Sequence, residues 1–410
     1  MLYSIGFFIF SIFYLPTLIF KGKLHRDFAE RFAHFEPSKL ELLRSGSGRI
    51  WIQAVSVGEV ALCKSLVARL REKFPGRQIV ISTITKTGND LAMKNFSKDA
   101  IIIYFPLDFL FIVKRAIALI KPSLYIMIET EILPNLIKAL SASGVPSMMI
   151  NGRISDRSIG RYRLVRPFLK KTLEKIGIFC MQDDIDARRI MELGAPREKV
   201  AVTGNMKFDT AVPAEIKDPG AVRATLGLNQ GEELIVAGST HEGEEDAVLG
   251  AFRKLSKEFA GLKLLIAPRH IDRAPAIRKT IESYGFGSDP RVILLDRIGH
   301  LSEAYSAATI VFVGGSLIEH GGQNPIEPAY FSKPVLFGPH MFNFKYITAA
   351  LLKEKAVMQV FSSEDLYEKL KLLLSDHNLR DTLGRRASKV VADNRGATDR
   401  NLSGICGLIG

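Results

Sequence analysis

Three cysteines in 410 residues, Cys63, Cys180 and Cys406, leave no CxxC pair and no even framework. That excludes a disulfide-stapled fold and a cysteine zinc site, and it points to a reducing compartment. The eight histidines make no HExxH or comparable ligand spacing, so no metal centre is expected. A nicotinamide-binding domain would carry GxGxxG after its first strand, where this chain has "SVGEVA", Ser56–Ala61. Residues 2–20, "LYSIGFFIFSIFYLPTLIF", lack charge altogether, and the run has neither the basic start nor the small-residue cleavage site of a signal peptide.

That uncharged run is just long enough to cross a hydrocarbon core, which takes roughly 20 helical residues. Lys21, Lys23 and Arg26 follow it at once, so by the positive-inside rule the rest of the chain is expected on the cytoplasmic side. Residues 1–21 are therefore read as a membrane anchor helix. Pro16 would kink such a helix, and a run lying on the membrane surface is the other reading. Hydrophobic content of 47% with 24% charged residues excludes a mainly disordered chain. The net charge of +13 asks for an anionic partner: a membrane surface, a phosphorylated ligand or nucleic acid.

From Arg49 onward short β-rich runs alternate with helical stretches: "RIWIQAVSV", "QIVISTIT", "AIIIYFPL", "LYIMIET", "PSMMIN", "GIFCMQD" and "VAVTGN". This is the sign of a parallel sheet covered by helices. Around "FDTAVPAEIKDPGAV" the periodicity lapses and prolines and acids accumulate, which sets a domain boundary near residue 212. A second series follows: "ELIVAGST", "KLLIAPRH", "RVILLDR", "ATIVFVGGS" and "PVLFGPH". The expected architecture is α/β, two doubly wound Rossmann-like domains facing a cleft, over 22–211 and 212–410. Ligands of such sheets bind at the C-terminal ends of the strands.

Polar clusters stand at those ends. Glu59 opens the helix after the first strand, where the positive helix end favours an ionised carboxylate able to act as a general base. From position alone, a first-turn acid is the simpler account. "MIETEILP" delivers Glu129 and Glu131, one of which suits chemistry and the other a helix start. Lys207 in "VTGNMKFD" could offset charge on a leaving group, or be merely solvated. "GSTHEGEE" offers Ser239 and Thr240 as anion donors, and "APRH" adds Arg269 and His270. In "FVGGSLIEHGGQNPIEPAYFSKPVLFGPH", Gly314, Gly315, Gly321 and Gly322 allow tight turns, and Asn324-Pro325 starts a helix whose N–H groups can face a phosphate. Glu327, one turn in, could accept from two ribose hydroxyls, so the run fits a nucleotide sugar.

At this point the chain resembles the 3-deoxy-D-manno-octulosonic acid (Kdo) transferases, membrane-associated GT-B glycosyltransferases of lipopolysaccharide assembly. The likeness runs through "WIQAVSVGEV", "IETEILPN", "NGRISDRS", "TGNMKFD", "GSTHEGEE", "PRH", "FVGGSLIEHGGQNPIEPA" and "GPHMFNF", in order along nearly the whole chain. The resemblance implies Glu59 as catalytic base, with Glu129 and Lys207 as supporting charged groups. It implies CMP binding by Pro268 and Arg269, by Ile298, Gly299 and His300, and by Asn324, Pro325, Ile326 and Glu327. It implies an inverting transfer from CMP-Kdo to the lipid A precursor lipid IVA at the cytoplasmic face of the inner membrane, with no metal, no other cofactor and no nucleic acid. Another GT-B enzyme using a UDP-sugar, a transferase or an epimerase, remains open on architecture alone. A non-enzymatic basic protein would leave the glycine and Asn-Pro-Ile-Glu run without a purpose.

Overall fold

The computed structural model describes residues 26–210 and 218–409; the expected anchor at 1–21 and the linker residues around 212 lie outside the described residues. The chain divides into two compact units, 1–210 with 395–410, and 211–394.

The first unit is built on a seven-stranded sheet in the order β3-β2-β1-β4-β5-β6-β7. Its strands are β1 (Arg49–Gln53), β2 (Ile79–Thr83), β3 (Ala100–Tyr104), β4 (Pro122–Ile128), β5 (Ser147–Gly152), β6 (Ile178–Met181) and β7 (Val200–Val202). All neighbours pair in parallel. β1 is buried along its whole length, as a central strand covered on both faces by helices must be. Its first residue, Arg49, is also buried. The guanidinium donates to the carbonyls of Leu42, Leu43 and Ile120, which are end-of-helix acceptors, and to that of Gly46 in the loop. Chain order reverses between β1 and β4, so their C-terminal ends form a switch-point crevice.

The second unit carries six parallel strands in the order β10-β9-β8-β11-β12-β13. They are β8 (Glu233–Thr240), β9 (Leu262–Pro268), β10 (Val292–Leu294), β11 (Ile310–Val313), β12 (Val335–Phe337) and β13 (Val357–Gln359). The order reverses between β8 and β11. β13, three residues of "VMQ", is the strand that periodicity alone did not expose.

The expected second domain, 212–410, is corrected at its C-terminal end, because the helix Ala397–Ile409 belongs to the first unit. Ala397 and Ile405 are buried in the core beside the helix Val57–Lys73 and strands β1, β4 and β5. The Asp209 carboxylate accepts the N–H groups of Gly396 and Thr398, both at 2.7 Å, and Arg77 donates to the Ile409 carbonyl. Among the described residues no helix is long and apolar enough to cross a membrane.

Candidate active site

In the first unit, strand ends β1, β4 and β5 bring Glu59, Glu129, Glu131 and Arg153 to one edge of the sheet. Lys207 joins them from β7 by a folded-back loop. Asn205 donates to Gln182, Gln182 donates to the Asn151 carbonyl, and Asn151 Oδ1 accepts the Met206 N–H. Glu129 and Asn151 both have left-handed backbones, φ 60° and 53°, an uncommon conformation for residues with a side chain and one that clusters at functional sites.

Glu59 is only 8% exposed. Its Oε2 accepts the Val55 N–H at 2.6 Å and its Oε1 the Ser56 hydroxyl at 3.2 Å, so the carboxyl fixes the turn that precedes its own helix. The helix-start role and an exceptional environment therefore coexist. Where a helix start favours an ionised acid, the structure favours the proton: burial, with Glu129 and Glu131 acting in the same sense, pushes Glu59 up to about 8 against the bonds from Val55 and Ser56. Burial and Glu129 push Glu131 up to about 7. Burial lowers Lys207, with Glu129 opposing and Arg153 reinforcing. Three carboxyls and two cations so arranged can hold or move a proton near neutrality.

In the second unit, a cavity of about 260 Å³ is lined by Ser239, Arg269, Gly299, Leu301, Ser302, Tyr305, Gln323, Asn324 and Glu327. It lies at the β8/β11 switch point and gathers Ser239, Arg269, Gly299, Asn324 and Glu327 from the residues singled out in the sequence. Asn324 Nδ2 donates to Glu327 Oε1 at 3.2 Å, and burial raises Glu327 against that bond. Pro268, Pro325 and Ile326 are buried beside this wall, and Ile298 is 79% exposed. His300 lines a neighbouring cavity of about 380 Å³ with Val222, Leu226, Leu294, Asp296 and Glu303. That larger cavity sits by the edge strand β10, away from the switch point, and the smaller one is the better candidate on chemistry. Leu301, Ser302, Tyr305 and Gln323 were not foreseen. Tyr305 left one signal, Gly238: a Cβ there would lie 2.0 Å from the Tyr305 hydroxyl, so only glycine lets this ring pack on β8.

Two expectations for this unit change. The helix after Asn324-Pro325 is only Ile326–Tyr330, and its Ile326 N–H is already taken by Asn324 Oδ1 at 3.0 Å. The Asn324 and Glu327 side chains line the cavity, and the Ile326 N–H is engaged within the loop. Likewise, of the two hydroxyls of "GSTHEGEE", Ser239 lines the cavity and Thr240 is used internally. Thr240 donates to Glu245 at 2.9 Å, and the His241 N–H donates to Glu244 at 3.0 Å.

Glu244 is the organiser that sequence reasoning missed. Fully buried, it accepts four backbone N–H groups: His241 at 3.0 Å, Gly315 at 2.6 Å, Ser316 at 2.9 Å and Leu317 at 3.0 Å. It ties the β8 loop to the β11 loop across the switch point. An Asp-x-Asp pair, Asp184 and Asp186, follows β6, and Asp186 is buried with Oδ1 accepting the Ile154 N–H at 2.8 Å, a loop-fixing role.

Two parallel, doubly wound units, each with a polar switch-point site, define the GT-B class of glycosyltransferases. Residues 26–210 match the family described as 3-deoxy-D-manno-octulosonic-acid transferase (kdotransferase), and residues 230–390 match glycosyl transferases group 1. The chain is 35% identical, over 86% of its length and 85% of the relative's, to a 3-deoxy-D-manno-octulosonic acid transferase of Haemophilus influenzae. It is 31% identical to one from Chlamydophila psittaci, over 80% of this chain and 78% of that one. Among solved structures, a glycosyltransferase from Rickettsia africae shares the fold at TM-score 0.60 and 13% identity, covering 89% of this chain and 99% of the other. The chain belongs to the 3-deoxy-D-manno-octulosonic acid transferase family.

Proposed function

We propose that this chain transfers Kdo from CMP-Kdo to a hydroxyl of the lipid A precursor lipid IVA, with inversion at the anomeric carbon. What carries this reading is the Glu59 cluster: a buried carboxyl with a proton affinity near neutrality, at a switch point, in a member of this family. In the transfer, Glu59 takes the proton of the acceptor hydroxyl as its oxygen bonds to the anomeric carbon, while the bond from that carbon to the CMP phosphate oxygen breaks. Glu129 and Lys207 set the charge around the base. Arg269 receives the phosphate and Glu327 the ribose hydroxyls, with Asn324 orienting Glu327 and Gly299 lining the same cavity. Pro268, Pro325 and Ile326 hold this wall in place, and the exposed Ile298-Gly299-His300 turn is a further contact for CMP. No metal is assigned to the reaction; cationic side chains offset the leaving phosphate. The uncharged run 2–20 anchors the chain in the inner membrane, with basic side chains drawn to an anionic cytoplasmic leaflet.

The reading is tested by supplying lipid IVA with CMP-Kdo or with UDP-sugars and identifying the released nucleotide. Release of CMP with a mass gain of one Kdo on the lipid is expected; release of UDP would replace this proposal with the UDP-sugar alternative.

A pH profile tests the base. With Glu59 titrating at about 8, kcat/KM is expected to rise about tenfold per pH unit below that value and to level above it. Removing a neighbouring negative charge favours the ionised form, so Glu129→Gln moves this limb to lower pH. A limb that stays in place, or moves upward, contradicts the assignment.

A further inference from the structure

Beside the nucleotide cavity, three imidazoles gather from three loops of the second unit: His241 after β8, His270 after β9 and His320 after β11. His241 and His320 stack, with centroids 4.3 Å apart and planes inclined at 16°. His270 meets His241 edge-on at 5.8 Å. Stacked rings do not converge their nitrogens on one point, and among the described residues no group of three or more His, Cys, Asp or Glu is set to hold a metal ion. The stack is joined to the cavity by Gln323, which lines it and holds its amide 3.3 Å from His241 Nε2. Gly315, at φ 67°, makes room for this contact. A Cβ there would lie 3.2 Å from the His241 ring and 3.5 Å from the Gln323 amide.

The charge of this corner is cationic. Arg269 lines the cavity next to His270, and Arg273 is bound to Glu245 at 2.9 and 3.2 Å, with Glu242 and Asp272 also acting on it. The Glu244 carboxylate is spent on four backbone N–H groups, while Glu319 beside His320 is exposed. Burial lowers His241 to about 4, with His320, His270, Arg273 and Arg269 acting in the same sense, so the ring is neutral and free to donate from one nitrogen. A second anionic group from the ligand, beside the one held by Arg269, would complete this corner.

Kdo is a 2-ulosonic acid, so its carboxylate sits on the same anomeric carbon that bears the phosphate of CMP-Kdo. A subsite for that carboxylate must therefore lie beside the phosphate subsite. Resting on the function proposed above, we propose that His241, His320 and Gln323 form a subsite for the carboxylate of the donor sugar and select ulosonic acids over uncharged hexoses. His320 is an exposed ring on a glycine-bounded loop, so its replacement need not disturb the core.

The test separates sugar from nucleotide. In His320→Ala and His241→Gln, the KM for CMP-Kdo is expected to rise about tenfold or more, the loss of a hydrogen bond to a charged group. The inhibition constant of CMP, which lacks the sugar, stays within about twofold of the parent's, since the CMP contacts are untouched. If the two constants move together, or neither moves, the subsite is refuted. If the parent enzyme releases no CMP from CMP-Kdo, the proposed reaction itself fails, an outcome visible before any variant is made.

Discussion

Glu59→Gln is expected to lower the rate of sugar transfer on the order of 10²–10⁴-fold at unchanged CMP affinity. Glutamine keeps an oxygen for the Val55 N–H and fills the same space, so the turn before the helix Val57–Lys73 is preserved. What disappears is the proton acceptor. Alanine would confuse the result, because it leaves the Val55 N–H without its partner. Steady-state kinetics with calorimetric titration of CMP separate the two effects, and near-normal turnover in Glu59→Gln would remove this residue from the mechanism.

The same substitution carries a stability signature of known sign. In the fold Glu59 titrates at about 8, whereas an unfolded glutamate ionises near 4.5. Between these values the folded chain binds the extra proton, so stability from this group falls as pH rises from 4.5 through 8. Glutamine cannot ionise and escapes that loss. Glu59→Gln is therefore expected to melt higher than the parent at pH 8 and nearly alike at pH 4.5, a less active protein that is the more stable one.

Glu244→Ala is expected to destabilise the second unit by about 3 kcal/mol or more, and to abolish nucleotide binding with it. Four N–H groups lose one carboxylate, and each buried donor left unpaired costs about 1–3 kcal/mol, partly recovered by water entering the gap. For a unit of this size the loss corresponds to a melting temperature lower by roughly 6–12 °C. Glu244→Gln keeps one acceptor oxygen and turns the other into a donor facing N–H groups, so it should lie between parent and alanine. Differential scanning calorimetry that finds the alanine variant as stable as the parent would refute the clamp.

Much of this organisation was legible in the chain. Buried apolar runs such as "RIWIQ" and "ATIVFV" announce parallel strands because a strand covered on both faces has no polar side to show. β13 escaped because three residues, Val357–Gln359, carry too little pattern to distinguish a strand from a loop. Arg269, Asn324 and Glu327 were found by residue type at strand ends and Gly299 by family resemblance, and they meet in one cavity. Tyr305 and Ser302 belong to the helix Leu301–Ala307, which carries no signature of chemistry, and only packing against β8 brings Tyr305 to the site.

The sequence by itself determined two doubly wound units, the strand ends at which polar residues would cluster, and the family to which the chain belongs. Periodicity and turn residues are local properties, written into neighbouring positions. Only the tertiary structure decided that Ala397–Ile409 closes the first unit's core, that Glu244 serves as a clamp, and that Glu59 holds its proton up to about pH 8. Each of these depends on groups far apart in the chain. Burial and the charge of Glu129, which acts on Glu59 from 70 positions further along the chain, exist only once the chain has folded.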